Sequence, residues 1–274
     1  MKRINLTARS VFCARVILGL IFGMAGIGLL LDALASEQMS LQAELRDLGR
    51  DDWFRPTPSR YWDVRDTVAH LADIDEVAID TCIGGPRPLN DFAARLASPE
   101  DTTLWGVLRG RRQSGRGVLA WWEDTSTRER DVLAGLDLAI RVPWGLGMRP
   151  PSLVTARLME TWAHGLDVRE ALGLPVVDTD RLRHVAWLGY RALPYAFSFA
   201  GRERPPGELR VEITSPSGDE TWEYGPVDAP NRITGPAGEL CRLFAQRITR
   251  DEARGLVAEG EGAVAALEVA RAFL

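Results

Sequence analysis

The sequence predicts a mainly α protein, a helical bundle followed by a small α/β domain. Three observations carry that prediction. Apolar residues recur at helical spacing through most of the chain before Gly201. Beyond Gly201 the pattern becomes the alternation of apolar and polar residues expected of a half-buried strand. And 274 residues is long for one domain and comfortable for two.

The first helix raises a question of where the folded chain starts. Val16 to Leu31 is sixteen residues without a charge, preceded by Lys2, Arg3, Arg9 and Arg15 and followed by Ala33-Leu34-Ala35. Read literally, that is a signal peptide. It is short for a membrane span, which needs about 20 apolar residues. Leu30, Leu34, Leu41, Leu45 and Leu48 nevertheless continue at helical spacing through the supposed cleavage point. Residues 1–29 are therefore set apart as an extension that is signal-like, tether-like or the product of a start misassigned upstream of Met24. They hold the only lysine and one of three asparagines. The expectation is a cytoplasmic protein without stable membrane association, with a membrane-tethered or exported form as the alternative if the segment is genuine.

Asp51 to Tyr61 reads as a polar, proline-punctuated connection. Asp63 is placed to cap the second helix, and Asp66 in its first turn suits the helix dipole. That helix turns Val64, Val68, Leu71 and Val77 inward, and His70, flanked by them, points toward the interior. Pro86 and Pro88 break the chain. A third helical region covers Phe92 to Leu96 and Leu104 to Leu136, interrupted near Gly110 to Gly117, with Trp121 and Trp122 as core or cleft wall. Arg141 to Pro151 is irregular, Ser152 reads as the cap of the next helix, and Gly173 followed by Pro175 ends it. A helix over Thr179 to Leu193 holds His184 in a structural setting. Leu209 to Thr214 and Thr221 to Tyr224 form a hairpin around Pro216 to Asp219, and Ala237 to Ile248 and Ala263 to Phe273 are helices over a small sheet.

Composition narrows the function classes. The net charge of −5 and the scattering of arginines among acids leave no basic field for nucleic acid. Cys13, Cys82 and Cys241 are odd in number and widely spaced, which indicates neither a disulfide framework nor a cysteine zinc site, but buried thiols. No phosphate-cradling loop or dinucleotide fingerprint is present.

The chemistry-bearing residues are histidines and carboxylates. Glu160 and His164 stand four residues apart and would project from one helical face. The chain has three histidines, and His70 lies on a separate helix. Packed together, His70, Glu160 and His164 would be two imidazoles and a carboxylate, the ligand set of a catalytic zinc or similar divalent site. The same pair could equally be a hydrogen-bonded couple on an exposed face. Leu158, Trp162 and Leu166 take one side of that helix, and Glu160, His164, Asp167 and Val168 another. Asp167, three residues after His164, could orient its imidazole or form a salt bridge with Arg157 or Arg169. Asp73 stands in the same relation to His70.

Longer stretches carry a resemblance. Trp53 to Pro58 (WFRPTP), Tyr61 to Asp66 leading into Val68-Ala69-His70-Leu71, and Arg157 to Val168 (RLMETWAHGLDV) resemble the metal-binding domain of the mycothiol-dependent maleylpyruvate isomerase family. That family is a branch of the DinB-like up-and-down four-helix bundles. The resemblance implies that His70, Glu160 and His164 hold a divalent metal ion, zinc first. It implies a bundle over residues 30–200 and a sterol-carrier-like α/β domain over 201–274. In the isomerase the second domain supplies an arginine to the active site, for which Arg247 is the candidate here; Asp167 joins it as a catalytic candidate. The near-absence of lysine fits a GC-rich genome, as in the actinobacteria where the family is usually found. The expected function is activation of a low-molecular-weight thiol, mycothiol, for transfer to or isomerisation of a small electrophile. A metal-dependent hydrolase and a non-catalytic metal or small-ligand binding protein are the alternatives.

Overall fold

The computed structural model describes residues 7–94 and 100–272, with side chains from Gly26 on apart from residues 92 and 100–102. Helix α1 (Thr7–Arg46) runs through Ser36 without a break, and Leu34, Leu41 and Leu45 are its buried stripe. The side chains of Cys13 and of the apolar run up to Met24, like residue Leu96, lie outside the described ones. Among the described residues no helix is long and apolar enough to cross a membrane.

A 3-10 turn, Asp51–Phe54, leads to α2 (Val64–Ile83). Its start is a reciprocal cap: Asp66 N donates to Asp63 Oδ1 at 2.8 Å, and Asp63 N to Asp66 Oδ2 at 3.4 Å. Gly84 ends it in the left-handed conformation. Then come α3 (Leu89–Ala93), α4 (Glu100–Gly110), α5 (Gly115–Ala134), capped by Ser114, and α6 (Pro150–Leu172). The cap of α6 is Arg149, not Ser152. Pro150 at the first position loses nothing by lacking an N–H there, so the helix begins three residues earlier than a serine cap would place it. Gly173 closes it.

Helices α1, α6, α2 and α5 contact one another in a ring, which makes the four-helix bundle, and α4 lies against α2. That last contact needs glycine. A Cβ on Gly106 would stand 2.5 Å from Cβ of Asp73, and one on Gly110 2.3 Å from Cβ of Ala69.

Helix α7 (Leu182–Phe199) is longer than the sequence pattern implied and contains Pro194. It packs on α6 and also on α8 (Ala237–Phe244) and α9 (Glu261–Val269). The sheet has the order β2-β1-β3-β4. β1 (Leu209–Thr214) and β2 (Thr221–Tyr224) form the expected antiparallel hairpin. β3 (Asn231–Pro236) runs parallel to β1, and β4 (Val257–Glu259) antiparallel to β3. One apolar core runs from Leu34 and Leu158 through Val185 and Phe197 to Val211 and Phe244. A second, around Leu41, Val68, Leu71, Trp122 and Val168, fills the bundle beside His70.

Candidate metal centre

The register of α2 within the bundle fixes His70. Its neighbours Ala69 and Leu71 are fully buried, and the imidazole follows them inward with 7% exposure. On α6, Glu160 and His164 are one turn apart and face α2. His70 Nε2 lies 3.7 Å and His164 Nε2 3.5 Å from the same oxygen, Oε2 of Glu160. One ligand atom from each residue lies within 4.8 Å of the others, and no further His, Cys, Asp or Glu joins this group among the described residues. Tetrahedral donors about 2 Å from an ion stand roughly 3.3 Å apart, so the spacing fits a divalent cation with little adjustment. The Glu160 side chain keeps 25% exposure, which leaves the cluster open on one side.

Each protonation state has a cause. Burial lowers the His70 pKa, helped by the charges of His164 and Arg157 and opposed by Glu160, which favours the neutral imidazole that a metal requires. Burial would raise Glu160, but the two imidazoles beside it and the charges of His164 and Arg157 outweigh that and hold the carboxyl well below its ordinary range. Burial would lower His164, but Asp167 and Glu160 outweigh it and raise it.

Asp167 holds the far nitrogen of His164. Its Oδ2 is 2.9 Å from Nδ1, which leaves Nε2 for the Glu160 side. Asp167 in turn receives Arg247, whose Nη2 donates to Oδ2 at 2.7 Å and whose Nε is 2.7 Å from Oδ1. Burial would raise the Asp167 pKa; His164 and Arg247 outweigh it and lower it. Arg247 follows Gln246, which has a positive φ of 57° and whose amide donates to Leu243 O and Ala270 O. The structure thus brings together His70, Glu160, His164, Asp167 and Arg247, from α2, α6 and the turn after α8.

Other candidates go elsewhere. Asp73 receives Arg87 at 2.9 Å and plays no part at His70. Arg169 pairs with Glu44, so it is no partner of Asp167. His184 is outside the cluster. Burial pushes the Cys82 thiol up to about 11, which makes a poor nucleophile, and Cys241 is fully buried.

Two features escaped the sequence reading. Trp62 lies against both imidazoles, its ring centroid 5.1 Å from that of His70 and 6.2 Å from that of His164. Beneath the site, one turn before Glu160, Arg157 is fully buried; its Nη2 donates to Asp75 at 2.6 Å and its Nε to Glu129 at 2.8 Å. Burial and the Asp75 charge push Glu129 up to about 8 despite Arg157.

Comparison with known proteins bears on the family and the fold. Residues 34–169 match the sequence profile described as the mycothiol maleylpyruvate isomerase N-terminal domain. That span contains all three candidate ligands. Two uncharacterised proteins of Mycobacterium tuberculosis, from strains H37Rv and CDC 1551, are each 36% identical over 251 residues, covering 91% of this chain and 97% of the relative. Among solved structures, those of the mycothiol-dependent maleylpyruvate isomerase and of a mutant of it superimpose with a TM-score of 0.54 at 14% identity, over 84% of this chain and 91% of theirs. At that identity the likeness establishes the fold.

Proposed function

This chain belongs to the mycothiol maleylpyruvate isomerase family, and from that premise we propose that it is a divalent-metal-dependent enzyme that activates a low-molecular-weight thiol, mycothiol, for reaction with a small electrophile. The observation that carries the reading is the convergence of His70 Nε2, His164 Nε2 and Glu160 Oε2 at one partly open point.

His70, Glu160 and His164 would hold the cation, for which two imidazoles and a carboxylate make zinc the first choice. The ion supplies a Lewis acid that lowers the pKa of an entering thiol, so that a nucleophile exists at neutral pH. Asp167 accepts the Nδ1 proton of His164, which fixes the tautomer and points Nε2 at the site. Arg247 anchors Asp167 and brings a fixed positive charge within 3.5 Å of the same imidazole, suited to an anionic or enolate-like oxygen developing on the electrophile. Trp62 packs against both imidazoles and walls one side of the cluster.

The test is metal content of the purified protein beside His70→Ala, Glu160→Ala and His164→Ala. About one divalent ion per chain in the parent and loss in each variant is expected, followed by consumption of mycothiol with electrophile panels. Metal-bound protein that turns over esters without thiol would move the reading to a hydrolase; parent and variants equally metal-free under loading conditions would sink it.

A further inference from the structure

A recess of about 360 Å³ adjoins the cluster through Trp62, between the segment after α1 and the end of α4. Resting on the thiol reading above, we propose that this recess holds the non-reacting body of the thiol, and that it selects a neutral or zwitterionic body.

Four observations carry the assignment. Trp62 is common to both places: it lines the recess and lies on both imidazoles, so a ligand filling the recess rests against the residue that walls the cluster. Phe54 and Tyr61 also line it and are 51% and 78% exposed, with Arg65 over the first ring at 5.0 Å and Arg60 over the second at 4.6 Å, so aromatic surface stands beside a concavity. Arg111 is matched to Asp66 through Nε at 3.0 Å and Nη2 at 2.7 Å, and Arg65 stands 3.6 Å from Asp63. Each guanidinium facing the recess therefore already has a carboxylate, and a net anion gains little there.

The fourth observation is backbone conformation. Tyr61 has φ of 68°, one of two non-glycine residues in the left-handed region among those described. Its carbonyl is held by Arg111 Nη2 at 3.0 Å. Strain of this kind persists where surrounding contacts impose it, and it gathers at ligand sites. The other such residue, Gln246, precedes Arg247, and a separate recess of about 270 Å³ adjoins that arginine and Arg250.

The test is calorimetric titration of the full-length protein, metal-free and zinc-loaded, with mycothiol, S-methyl mycothiol and glutathione. S-methyl mycothiol keeps the body and removes the ionisable sulfur. The variants are Phe54→Ala and Tyr61→Asn, the second because asparagine accepts the left-handed backbone. Each is expected to weaken S-methyl mycothiol binding by about tenfold, with zinc content and thermal midpoint unchanged and glutathione binding weaker than mycothiol throughout. Variants that bind S-methyl mycothiol as tightly as the parent overturn the recess assignment and leave the thiol reading standing. Glutathione bound as tightly as mycothiol overturns the charge selection. No mycothiol binding by the zinc-loaded parent overturns the thiol reading itself, and with it this assignment.

Discussion

Asp167 is the residue on which the two halves of the site meet, since one carboxylate serves the His164 imidazole at 2.9 Å and the Arg247 guanidinium at 2.7 Å. Asp167→Asn keeps the shape but alters what Nδ1 of His164 faces, and metal affinity is expected to fall about 10- to 100-fold. Competition with a chromophoric chelator reads this directly; an unchanged affinity would mean that packing alone orients the ring. Arg247→Gln, by contrast, should hold metal within a few-fold of the parent and lower the rate of thiol transfer, read in single-turnover assays. Much of this was legible in the sequence. A four-residue spacing puts Glu160 and His164 on one face whatever their environment, and three residues bring Asp167 back under the ring. Trp62 carried no such sign, because its partners His70 and His164 are reached through folding, and an aromatic next to a helix cap looks like any core residue. Arg157 misled for the same reason: a charged residue on a helix reads as solvated until its carboxylates, Asp75 and Glu129, arrive from two other helices.

At the level of elements, the Asp63 cap and the Gly173 stop were readable, the cap of α6 was misplaced at Ser152, and the short strands were not readable. Asp63 and Asp66 formed the cap their positions suggested, and Asp63→Ala is expected to cost about 1 kcal/mol, seen as a lower thermal midpoint. Gly84, Ser114 and Gly173 bound their helices by local chemistry that sequence displays. β3 and β4 escaped because Gly235 and Pro236 interrupt the first and the second is three residues long; pairing with β1 and with each other makes them strands. Helix α7 was read as ending before Pro194. It continues because Ala196 and Phe197 are buried, and that packing outweighs one missing backbone donor.

For the whole molecule, the buried group of Asp75, Arg157 and Glu129 joins α2, α6 and α5 at the centre of the bundle. Arg157→Met would leave buried Asp75 and Glu129 without the guanidinium that they share, at an expected cost of about 3–5 kcal/mol, read by denaturant unfolding. Glu129 also makes stability depend on pH. It keeps its proton in the fold up to about 8, against an ordinary value of 4.5, so between those values the folded chain binds more protons than the unfolded one. Its contribution is full below about 4.5 and is lost as pH rises through about 8. Thermal midpoints should therefore fall more steeply across that interval in the parent than in Glu129→Gln; parallel curves would place the proton elsewhere. The core that runs unbroken through α7 has another consequence. Gly189 lets α7 approach α8 so closely that a Cβ there would lie 2.2 Å from the Phe244 ring. With the two parts sharing one interior, whatever binds the folded chain at the bundle stabilises the distant sheet by the same free energy wherever exchange requires global opening. Amide hydrogens of Val211 and Ile213, far along the chain from His70, would then exchange more slowly as the imidazoles fill, so that the sheet records occupancy of a site it never touches.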